Sequence, residues 1–95
     1  MKVRFLPSAA DGLDWFSKYY HEAFPDGDAN AKRAYFATKQ LLKEHPFAGV
    51  RLEGTQFREI QVSRTPFAFI YRVTREEIQI IRVWDNRRQR PRKWT

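Results

Sequence analysis

One run in the C-terminal half limits the fold more than any other. Phe67-Ala68-Phe69-Ile70-Tyr71-Arg72-Val73 is apolar at every position before Arg72. Successive side chains of a strand point to opposite faces, so a run apolar on both faces must be covered on both. It reads as the central strand of a sheet. The segment before it, Phe57 to Ser63, alternates: Ile60 and Val62 fall on one face, Glu59, Gln61 and Ser63 on the other. The segment after it, Ile78 to Trp84, is a last strand. Ser63-Arg64-Thr65-Pro66 and Thr74-Arg75-Glu76-Glu77 are short turns, so the three strands should pair in antiparallel fashion.

The N-terminal half reads differently. Lys2 to Leu6 alternates polar and apolar until Pro7, giving a first strand. Ser8 followed by Asp11 resembles a helix cap with an acid in the first turn. Ala9, Leu13, Phe16, Tyr20 and Ala23 recur at helical spacing, which predicts a helix from about Ala9 to His21 or slightly beyond. Pro25-Asp26-Gly27-Asp28 breaks it, and Asp28 is placed to cap a second helix. There Ala31, Ala34, Tyr35, Thr38, Leu41 and Leu42 form one stripe, which must end near Glu44 because His45 precedes Pro46. Phe47 to Thr55 reads as a loop. The order strand–helix–helix–strand–strand–strand is α+β, with a helical hairpin on one face of a small, mainly antiparallel, twisted sheet. The other face should stay partly open.

Ninety-five residues make one domain, 1–95, with a core large enough to need neither metal nor disulfide. Cysteine is absent, which removes disulfides, thiolate metal sites and thiol nucleophiles together. No metal or cofactor is expected. No apolar run approaches the roughly 20 residues that span a bilayer, so the chain reads as soluble, cytoplasmic and without a membrane partner. The formal charge of +7 is uneven: residues 86–95 hold five bases and no acids, whereas residues 1–85 hold thirteen bases against eleven acids. That C-terminal segment is either a solvated tail or an arm that seeks phosphate or carboxylate, and four of its five bases are arginine, whose fork pairs with both.

Several residue groups together resemble a known family. They are Leu42 with His45-Pro46-x-x-Gly49, Arg58-Glu59-Ile60-Gln61-Val62, Phe67 to Val73, Ile78-Gln79-Ile80-Ile81-Arg82-Val83-Trp84, and Arg87-Arg88-Gln89-Arg90-Pro91. In order and spacing the chain resembles the RelE/ParE family, the toxin halves of type II toxin–antitoxin pairs. The resemblance implies a cognate antitoxin as partner and a hetero-oligomer with it. RelE-like members cleave messenger RNA on the ribosome; ParE-like members share the fold and poison DNA gyrase. Cleavage by 2′-hydroxyl attack needs a proton acceptor, cations on the scissile phosphate and an acid for the leaving oxygen. Glu59 and Gln61 stand where the RelE-like pattern has lysines, Ala68 or Phe69 where it has an arginine, and Asp85 where other ribonucleases of this type have histidine. Arg87 alone matches. The chain is therefore similar to the ParE-like branch, and the alternative is a ribosome-dependent endoribonuclease with an atypical site built from Arg58, Arg82 and Arg87.

Individual candidates each have a plainer reading. Arg64, Arg87, Arg88, Arg90, Arg92, Lys93 and Trp94 are the candidates for holding a target or its phosphates; an exposed Trp94 among arginines would suit a partner surface, while a tail packed back on the domain would bury it. Arg58 and Arg64 share a face only if the intervening turn preserves alternation. Arg72 and Arg82 either face across a strand pair or cover acids such as Glu59 and Glu76. His45 reads as a helix-terminal cap, His21 as a surface residue and Asp85 as a turn residue.

Overall fold

A computed structural model describes residues 1–94. The strands are β1 (Lys2–Phe5), β2 (Val50–Arg51), β3 (Arg58–Gln61), β4 (Phe67–Val73) and β5 (Glu77–Asp85); the helices are α1 (Ala10–Lys18) and α2 (Asp28–Glu44). They form one five-stranded sheet in the order β1-β5-β4-β3-β2. As its pattern requires, β4 is central, and Phe67 through Tyr71 are fully buried. The β3–β4–β5 meander is antiparallel, while β1 returns to lie parallel to β5. The helices cross over between them and cover one face, where Phe16, Tyr20, Ala31 and Leu42 meet Val62, Phe67, Phe69, Tyr71, Ile78, Ile80 and Val83.

The α-helical part of α1 ends at Lys18, short of the His21 that its apolar stripe suggests, and the stripe finishes in a different helical form. A 3-10 turn at Pro7–Ala9 leads in, and a π turn at Tyr19–Ala23 leads out. Ser8 does not cap the helix: its hydroxyl donates to the Ile81 carbonyl at 2.7 Å, tying the crossover to β5. Nor does Asp28 cap α2. Gly27 holds that position, and Asp28 instead pairs with Lys32 one turn on. Gly12 lies so close to β5 that a Cβ there would stand 2.1 Å from the Val83 carbonyl oxygen. That contact lets the start of α1 press on the upper end of β5, beyond the reach of β1. The Phe47–Thr55 loop contains β2, a two-residue edge strand that carries no alternation of its own and forms only by pairing with β3.

The opposite face of the sheet is more covered than its polar alternation implies. A register shift at Ile70/Tyr71 leaves Ile81 as an extra residue in β5 and turns it to that face. Ile81, Ile70 and Phe57 pack there with Trp94, while Leu6, Leu52 and Trp84 border them. The C-terminal segment thus crosses the sheet as a strap and closes a second, smaller core. The tail packs back; Trp94 is 8% exposed.

Candidate functional site

The strap is held at three points. The first is Asp85, which ends β5 and is 4% exposed. Its carboxylate accepts from Trp15 Nε1 at 2.9 Å, the Arg87 backbone N–H at 3.0 Å, Arg87 Nε at 2.9 Å and Arg87 Nη2 at 2.7 Å. The hydrogen bonds from the Arg87 guanidinium, with that from Trp15, hold the carboxyl well below the usual carboxylate range against the opposing effect of burial. The same bidentate pair pushes Arg87 further up, and the guanidinium lies 4.3 Å from the Tyr19 ring centroid. Arg87 is therefore paired within its own molecule, although its side chain stays 48% exposed.

The second point is Arg90. It clamps Glu59 with two hydrogen bonds of 2.7 and 2.6 Å and reaches Asn86 Oδ1 at 2.9 Å. Asn86 in turn donates to Gln61. The outward Glu59 and Gln61 of β3 thus receive the strap. The third point is Trp94, edge-on to Trp84 at 5.2 Å.

What stays outward is the rest of the arm. Arg92 and Lys93 are exposed, and Arg88 is exposed with its guanidinium 5.3 Å from the Trp15 ring. Arg64 is exposed in the β3–β4 turn in the left-handed region, at φ 62°. So of the basic arm, Arg87 and Arg90 are spent on internal carboxylates while Arg88, Arg92 and Lys93 remain available.

Arg58, Arg82 and Arg87 do not converge. Arg58 donates to the Gly49 and Phe47 carbonyls at 2.9 and 3.3 Å and lies over Phe47, bracing the loop after α2. Arg82 sits opposite Ile70, on the other face, and donates to the carbonyls of Ser8 and Ile81. Arg72 bonds Gln79, so neither it nor Arg82 covers Glu59 or Glu76. Both histidines are exposed.

A second feature lies on the helical side. Leu13, Phe16, Tyr20, Tyr35 and Phe36 line an apolar groove of about 380 Å³ between α1 and α2, with Asp28 and Lys32 at its rim. Phe36 is 62% and Phe24 50% exposed, large apolar surfaces for a protein of this size to leave in water. The alternation of α2 signals a buried stripe but not this groove, because Phe36 lies outside the stripe.

Known proteins point the same way. Residues 3–90 match the family model described as ParE toxin of type II toxin–antitoxin system, parDE. Among solved structures, a chain of the chromosomal ParDE TA system from P. aeruginosa superposes with a TM-score of 0.68 at 27% identity, covering 87% of this chain and 92% of that one. No curated protein sequence matches. The family model spans nearly all of the chain, from β1 through the helical layer and the meander as far as Arg90: this protein belongs to the ParE toxin family of type II toxin–antitoxin systems.

Proposed function

We propose that the chain inhibits growth in the cytoplasm by binding DNA gyrase, and that a cognate antitoxin neutralises it as a hetero-oligomer. The observation that carries the binding reading is the pairing of Arg87 with Asp85. It is the one residue matching an RNA-cleaving pattern, and both Asp85 oxygens already occupy it. Arg58 and Arg82 lie on different faces of the sheet, so Arg58, Arg82 and Arg87 do not converge on one scissile phosphate. The groove between α1 and α2 suits the antitoxin. An amphipathic segment laid there would cover Phe36 and Tyr35, and an acid on it would reach Lys32. Outward Arg64 and Arg88 remain for the target.

Supercoiling by purified gyrase with the toxin added separates this reading from ribosome-dependent cleavage of messenger RNA. The expected result is inhibition that the antitoxin reverses. Normal supercoiling together with cut transcripts in a translating extract would overturn it.

A further inference from the structure

The two layers of the fold carry different charge. Residues 7–46, which include both helices, hold five Lys and Arg against six Asp and Glu. The strands, their turns and the strap hold thirteen against five, so the whole positive excess lies in the sheet layer. Strand parity divides it again. On the face turned from the helices, Lys2 and Arg4 stand opposite Glu77 and Gln79, Arg72 opposite Gln79 and Arg82 opposite Ile70. The strap adds Arg90 over Glu59, with Arg92 and Lys93 beside Phe57 and Trp94. The acids of that face, Glu77 and Glu59, are each held by an arginine; Glu53 borders it beside Arg92 and Lys93, and Glu76 beside Arg75.

The same face lacks what a protein partner or a single strand would grip. Of the exposed large apolar side chains, Phe24, Phe36 and Leu41 belong to the helical side, Met1 to the N-terminus and Phe47 to the loop after α2. Only Val50, opposite Glu59 on the edge strand, borders the cationic face. Its rings are used up: Phe57 and Trp94 are buried, and Trp84 is packed edge-on by Trp94. Protein interfaces centre on apolar anchors, and single strands stack their bases on exposed rings. A duplex backbone asks only for cations spread over a surface.

We infer that the helix-free face of the sheet binds the phosphate backbone of duplex nucleic acid without reading its sequence. From Glu77 to Trp84, β5 runs about 23 Å at ~3.3 Å per residue, enough for about four phosphate contacts. The toxin then has two separate surfaces, an apolar helical groove for a protein and a cationic sheet for a polyanion. The inference stands apart from the gyrase reading, since bare duplex and the isolated chain suffice to test it.

The test is fluorescence anisotropy of labelled mixed-sequence duplex DNA titrated with the full chain across a range of salt. Four neutralised phosphates predict roughly 100-fold weaker binding on going from about 50 to 200 mM salt. Arg92→Gln/Lys93→Gln, at two exposed positions without side-chain hydrogen bonds among the described residues, should lower the log–log salt slope by about 2. Arg33→Gln/Lys43→Gln on α2 should leave the slope unchanged. Duplex RNA in a parallel titration tells which duplex is preferred, and tight binding of either supports the inference. Absent binding, tighter binding of single strands, equal binding of polyglutamate, or an equal loss in the α2 variant would each overturn it. Melting curves of both variants guard against misfolding.

Discussion

Asp85→Asn isolates the contact on which the strap turns. The amide is isosteric but uncharged, and its NH2 group faces Arg87 donors in either orientation, with the Trp15 N–H added in one of them, donor against donor. Each hydrogen bond to a charged group contributes about 1.5–3 kcal/mol when well buried. Here Asp85 is buried, but the Arg87 side chain is 48% exposed and can recover water, which brings the expected loss to about 2 kcal/mol for the whole contact. The lowered Asp85 and raised Arg87 describe one interaction and count once. For a domain of this length that loss means a Tm lower by roughly 10 °C.

The pH dependence fixes the mechanism. Asp85 binds its proton more weakly in the folded state than unfolded, so the contact stabilises fully above the unfolded carboxyl pKa of about 4. It is lost as pH falls from there through the folded value. Urea melts of both proteins near pH 7 and near pH 2.5 should therefore show a gap that narrows in acid as the wild type loses its advantage. A gap that is absent near neutrality, or that persists unchanged in acid, would refute the assignment of the Asp85 charge as the source.

Other changes probe other contacts. Gly12→Ala should cost about 2–3 kcal/mol in chemical denaturation, because its Cβ meets the Val83 carbonyl and α1 must shift off β5. Trp94→Ala should cost about 3 kcal/mol and make the strap accessible to limited proteolysis, since it removes the ring that closes the second core on Trp84. Phe36→Ala should leave stability within about 0.5 kcal/mol while weakening antitoxin binding at least 10-fold by calorimetry, as expected of an exposed groove residue that a partner covers. Arg64→Ala/Arg88→Ala should keep the melting temperature and reduce inhibition in the supercoiling assay. The same test on Arg87 would confound fold with function, because its guanidinium is bound to Asp85.

By local sequence, Asp85 reads as a turn residue and Arg87 as a candidate for holding a target or its phosphates. Asp85-Asn86 does begin a turn, with the Arg88 N–H donating to the Asp85 carbonyl, but the Asp85 side chain also holds Trp15 across seventy positions. Such a partner has no local signature. Ser8 shows the same failure in miniature: its spacing to Asp11 suggests a cap, and a carbonyl seventy-three positions away takes its hydroxyl instead.

The amino-acid sequence alone determined the central strand, the meander around it, the two amphipathic helices and the excess of arginine at the C-terminus. Those features follow from burial repeating every two or three to four residues, which is written in neighbouring positions. Tertiary structure decided the parallel return of β1, the two-residue β2, the second core under Trp94 and which arginines stay free. These depend on strand register and on the path of the strap, which bring Arg90 to Glu59 across thirty-one positions and so convert part of a basic tail into an internal fastening.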